Sequence, residues 1–182
     1  MKLNRTLKLV PVALLALLPS AVLTANAQAS SSTSASAADK NFVTTALRGG
    51  MAEIELGKLA AAKGSSNDVK QFGQKMVTDH TQMGENMKHV AQQVGAAQPS
   101  AMSAADLALE TKLKVLSGNT FDKAYIQAML KDHQDDLGLF NKEITSGSSS
   151  VVTDAARDGA KIIQEHLDMI QKIAQSNNVA SN

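Results

Sequence analysis

The chain has no cysteine and no tryptophan, one tyrosine, four phenylalanines and three prolines among its 182 residues. Without cysteine there is no disulfide, no thiolate metal site, no cysteine nucleophile and no lipid attached through a cysteine. With aromatics at 3%, a core must be built from Ala, Leu, Ile, Val and Met, a palette that suits close-packed helices better than sheets. Only Pro99 falls in the part expected to fold, so nothing in the sequence breaks long helices there. No basic face or aromatic platform points to nucleic acid. No GxSxG, P-loop, HExxH or dinucleotide fingerprint is present, and the sequence favours a non-enzymatic role, with a hydrolytic metal centre as the remaining enzymatic option.

What is present begins with an export pattern. Residues 1–29 read as a signal peptide: Lys2, Arg5 and Lys8 form the positive start, Leu9 to Leu18 the apolar stretch, and Ala25, Ala27 and Ala29 offer Ala-x-Ala cleavage after Ala27 or after Ala29. The apolar stretch is shorter than the roughly 20 residues of a membrane span, and no later segment is apolar enough to be one. Residues 30–38 are a Ser-rich flexible leader. Removing Lys2, Arg5 and Lys8 from the 18 basic residues leaves 15 against 17 acidic, a mature net charge of about −2, which gives no reason to expect an anionic membrane partner. The expected location is the periplasm or the exterior. A homodimer or an envelope protein is the expected kind of partner.

Residues 39–176 read as one helical bundle and 177–182 as a polar tail. Four long helices are expected over about 39–62, 66–94, 120–145 and 151–175, with a short one from Ser103 to near Ser117. Asp39, Ser65 or Ser66, and Asn119 are candidate N-caps, Ser103 and Asp106 form a capping-box pattern, and Gly64 and Gly95 are stop signals. Apolar residues recur with helical period in each: Val69, Phe72, Met76, Met83 and Met87 in the second, Ile126, Met129, Leu137 and Phe140 in the third, Ile162, Ile163 and Ile170 in the fourth. The first helix carries a lighter stripe with Gly49, Gly50 and Gly57 in it. Such glycines reduce helix propensity, and imply either close approach of a neighbour or room for a larger group. Four amphipathic helices of this length pack as a four-helix bundle.

Inside those stripes sit four polar residues. At 100° per residue, Glu53, His80, His133 and His166 each lie at the centre of the apolar face of a different helix, each near mid-length, so packing the helices side by side brings all four to one level. His89, nine residues after His80, should face solvent. A buried polar group is costly unless paired. Two arrangements satisfy such a layer: a bound transition metal, for which imidazole and carboxylate are ligands for zinc, iron or copper, or a hydrogen-bonded His/Glu network without metal. Each histidine follows an acid, Asp79, Asp132 or Glu165, about 100° around the helix. These acids are placed either to orient a histidine on the next helix from outside the ligand set or simply to mark the polar edge. Met76, Met83, Met129 and Met169, three or four residues from the histidines, are core filler or thioether donors favouring copper.

The segments FVTTALRGGMAEIELGKLA (42–60), VKQFGQKMVTDHT (69–81), FDKAYIQAMLKDH (121–133) and EHL (165–167) resemble a bacterial domain-of-unknown-function family of exported ferritin-like domains, often labelled as outer membrane proteins. The resemblance implies a ferritin-like four-helix bundle with a crossover between the second and third long helices, for which residues 95–118 are long enough. It departs from di-iron sites, which use Glu-x-x-His: Leu130 and Ile163 stand three residues before His133 and His166. The outer-membrane label finds no alternating β-barrel strands in this sequence.

Overall fold

The computed structural model describes residues 34–180. The expected signal peptide and residues 30–33 of the Ser-rich leader lie outside the described residues, while the rest of that leader runs into the first helix, with Ala37 and Ala38 helical. Within them the chain is all-helical, with no strand: α1 (Ala37–Lys63), α2 (Asn67–Val94), α3 (Ala104–Lys114), α4 (Gly118–Ser146) and α5 (Ser150–Ser176).

The ends follow from capping chemistry. Ser66 caps α2 and Ser103 caps α3 with a full capping box through Asp106. At α1 the expectation is corrected by one turn: Ser36 is the N-cap and Asp39 is the third helical residue of its capping box. The helix gains its first turn because Ser36 accepts from the Asp39 N–H while Asp39 accepts from the Ser36 N–H at 2.7 Å. Helix α4 begins two residues before the expected Asn119 cap, from Ser117, with Gly118 at φ 58° making the entry. Gly95 closes α2 in the left-handed conformation, φ 66°.

Helices α1 and α2 form one hairpin, α4 and α5 a second, and the hairpins join through α2 against α5 and α1 against α4, with short α3 against α1 and α4. The Asp122 carboxylate at the start of α4 accepts from the Ser65 and Ser66 N–H groups of the α1–α2 turn, both at 2.8 Å. At the opposite end Asp39 of α1 accepts from the Ser148 N–H of the α4–α5 turn at 3.0 Å. Helix α4 therefore starts where α1 ends. The 95–117 connection leaves α2 at the far end, beside Thr44, whose hydroxyl donates to the Ala97 carbonyl at 2.9 Å, and returns along the length of the bundle.

The apolar core is in two parts. One holds Leu56, Ala60, Phe72, Met76, Tyr125, Met129, Leu130, Leu167 and Ile170. The other holds Phe42, Val43, Leu47, Met87, Val90, Phe140, Val152 and Ile163. On every long helix the two parts are separated by the mid-helix polar residue: Glu53 between Leu47 and Leu56, His80 between Met76 and Met87, His133 between Leu130 and Phe140, His166 between Ile163 and Leu167. The core is thus interrupted by one polar layer.

Candidate metal centre

All four residues expected at mid-bundle are buried: Glu53 and His80 are 2% exposed, His133 and His166 0%. His89 is exposed, as its position half a turn round the helix requires. The three imidazoles pack on one another, with ring centroids 5.3 Å (His80–His166), 5.5 Å (His133–His166) and 6.2 Å (His80–His133) apart. Phe72 closes the layer on one side, its ring 6.1 Å from His133 and 6.0 Å from His166. One nitrogen from each of the three histidines lies within 4.8 Å of the other two.

Each ring is held from behind by an oxygen. His80 Nδ1 pairs with Glu53 Oε2 at 3.0 Å, His133 Nδ1 donates to the Met129 carbonyl at 2.9 Å, and His166 Nε2 pairs with Asp79 Oδ2 at 2.7 Å. A carbonyl or carboxylate oxygen only accepts, so the held nitrogen carries the proton. In the neutral tautomer the other nitrogen then keeps its lone pair. Those other nitrogens, His80 Nε2, His133 Nε2 and His166 Nδ1, are buried and have no hydrogen-bond partner from the protein.

The charges follow from burial and pairing. Burial acts to raise the Glu53 pKa, but the charge of and hydrogen bond from His80 outweigh it, and Glu53 stays below its ordinary range. Burial acts to lower His80, and Glu53 overcomes it, so His80 is raised. Burial dominates at the other two rings: His133 is lowered, and His166 is pushed down to about 4 despite its bond to Asp79. Both are neutral at neutral pH, the form that binds metal.

The three acids beside the histidines divide. Asp79 faces α5 and holds His166 there, with Lys75 on its outer side at 2.7 Å. Asp132 is half-buried and places an oxygen within 4.8 Å of ligand atoms on Glu53 and His133. Glu165 is exposed and is not a partner of any of the three rings; its side of α5 faces solvent, so an orienting role for it is not what the geometry provides. Met76 and Met129 are fully buried core residues, while Met83 and Met169 are partly buried at its edge. Two contributors were not anticipated. The Met129 carbonyl is a backbone atom, which residue identity cannot reveal. Asp136 is half-buried one turn after Asp132 and could have been found from that spacing. Burial, then Glu53, pushes Asp132 up to about 7 and Asp136 up to about 8.

Fold and site define an all-helical domain crossed by a buried histidine layer. The chain belongs to the DUF4142 family, a domain of unknown function, whose profile matches residues 24–173. No curated protein sequence matches it. Among solved structures it is similar to a DUF305 fragment from Deinococcus radiodurans (12% identity, 79% of this chain and 99% of that one, TM-score 0.70) and to a DUF305 protein from Streptomyces coelicolor described as secreted (13%, 80% and 96%, TM-score 0.68). It is also similar to CopM in its Cu(I)-bound form (16%, 76% and 96%, TM-score 0.63). At these identities the likeness concerns the helical fold.

Proposed function

We propose that this is an exported helical protein that binds one transition-metal ion at mid-bundle through His80, His133 and His166, and serves metal handling or envelope stress rather than catalysis. The observation that carries the reading is the set of three buried imidazole nitrogens without partners, on rings whose other nitrogens are all held. An orphaned buried polar atom costs about 1–3 kcal/mol, and three of them on rings packed 5.3–6.2 Å apart are a standing cost that a metal removes. Three imidazole nitrogens, that of His80 once it has released its proton, suit copper or zinc, with iron as the third candidate. Glu53 and Asp79 act from outside the ligand set by fixing ring orientation. The Cu(I) named for CopM agrees with copper as the first ion to test. The crossover along the bundle supports a ferritin-like arrangement. The signal-like residues 1–29 support export, and no helix of the described residues is long and apolar enough to cross a membrane.

The second reading is a structural or interaction module with a buried His/Glu network, favoured by the Glu53–His80 and Asp79–His166 pairs. It leaves the three unpartnered nitrogens unexplained, since a network built for stability would pair them. Elemental analysis of mature protein, purified natively without tag or chelator, separates the two. The metal reading expects one equivalent of metal, lost in a His80→Ala, His133→Ala, His166→Ala triple variant. Metal-free protein that also takes up none on titration with Cu(I) or Zn²⁺ makes the layer structural.

A further inference from the structure

The three-histidine site leaves one face of the polar layer unused. Glu53 spends only Oε2 on His80. Its Oε1 is buried and has no hydrogen-bond partner, and it lies 3.7 Å from the unpartnered Nε2 of His133. Asp132 adds a carboxylate oxygen, and one ligand atom from each of Glu53, Asp132 and His133 lies within 4.8 Å of the other two. Among the described residues no Lys or Arg pairs with Asp132 or with Asp136 one turn further on, whereas their neighbour Asp135 is paired with Lys131. A cavity of about 440 Å³ between α3 and α4, lined by Asp106, Asp132 and Asp135 together with Lys112 and Lys131, reaches this edge from outside. The result is a buried, oxygen-rich pocket with two unpartnered lone-pair atoms and an approach from solvent.

We propose that Glu53, Asp132 and His133 form a second cation position, selective for a harder divalent ion such as Mn²⁺, alongside the nitrogen-only position of the three histidines. Two carboxylate oxygens and one imidazole suit that class of ion, as three imidazoles suit copper or zinc. His133 has one free nitrogen because Met129 holds the other. It therefore serves one ion at a time, and filling the three-histidine position with Cu(I) or Zn²⁺ weakens Mn²⁺ binding. The Mn²⁺ position does not require the first to be filled, so the two readings stand or fall separately.

The test is Mn²⁺ titration of the mature protein, followed by the electron paramagnetic resonance signal of the free ion. Wild type should bind one equivalent. Asp132→Asn, which removes charge without changing shape, should weaken binding by at least the roughly tenfold typical of losing even an indirect partner of a metal, with an unchanged circular dichroism spectrum. Adding one equivalent of Cu(I) should release Mn²⁺ from wild type. A His166→Gln variant, which leaves the Glu53–His80 pair intact, should lose Cu(I) and keep Mn²⁺. If wild type takes up no Mn²⁺, or Asp132→Asn binds it equally well, the second position does not exist. If the His166→Gln variant keeps its Cu(I), it is the three-histidine reading that fails.

Discussion

At the residue scale, the polar layer works by giving each imidazole one held nitrogen and one free one. The held nitrogen decides the tautomer and aims the ring, so the residues behind the histidines matter nearly as much as the rings. Asp79 is the clearest case because it reaches across from α2 to His166 on α5. Replacing it by Asn keeps the shape but offers the ring a competing donor and removes the charge. Asp79→Asn should weaken metal binding about 10- to 100-fold with helix content unchanged, as measured by competition against a chelator of known affinity. Unchanged affinity would mean that packing against Phe72 alone holds the ring.

At the element scale, α1 and α2 approach closely where Gly57 meets Gly73. A Cβ on Gly73 would stand 2.6 Å from the Gly57 carbonyl oxygen, and one on Gly57 would stand 2.9 Å from that of Gly73. Backbone cannot yield as a side-chain end can, so Gly73→Ala should destabilise by about 1–3 kcal/mol, read from a denaturant midpoint, as other overpacked cores do. Gly84, three turns further along the same side of α2, has nothing within 4 Å of its Cβ position. There the lost entropy of glycine dominates, and Gly84→Ala should stabilise by about 0.5–1 kcal/mol. The two substitutions have opposite signs within one helix, which propensity alone does not foresee. Of the glycines that thin the stripe of α1, Gly57 serves close approach, whereas Gly50 lines a cavity of about 100 Å³ that reaches His80.

At the scale of the whole molecule, the ends of the bundle are joined by carboxylates. Asp39 ties α1 to the α4–α5 turn, and buried Glu143 of α4 lies against it. Burial acts to raise Asp39, but its bonds from Ser148 and Ser36 hold it well below the usual range. Burial, with the Asp39 contact adding to it, pushes Glu143 up from 4.5 to about 7. The folded state therefore keeps the Glu143 proton that the unfolded chain has released between about pH 4.5 and 7. Its contribution is complete below that window and is lost as pH rises through it. Asp39 behaves oppositely, its contribution disappearing only in acid. Glutamine at position 143 stays neutral beside Asp39 at every pH. Glu143→Gln should thus melt close to wild type at pH 5 and about 2–4 °C higher at pH 8, the shift that ~1 kcal/mol produces in a domain of this size. Equal melting temperatures at pH 8 would show that Glu143 is already ionised without strain.

The helices, their approximate ends and the inward-facing Glu53, His80, His133 and His166 were determined by the sequence. Helical period and capping are local rules, and a polar residue at the centre of an apolar stripe is visible without a neighbour. What those residues do to one another was decided only by the tertiary structure. Whether Asp79, Asp132 or Glu165 meets a histidine depends on which side of its helix is covered by the next one, and three acids at identical spacing met three different surroundings. That Glu53 holds His80 with one oxygen and leaves the other free, and that a backbone carbonyl orients His133, follows from helix rotation and separation at the ångström level. Periodicity fixes a face of a helix, but the distances between facing side chains are set by packing, such as the contact at Gly57 and Gly73.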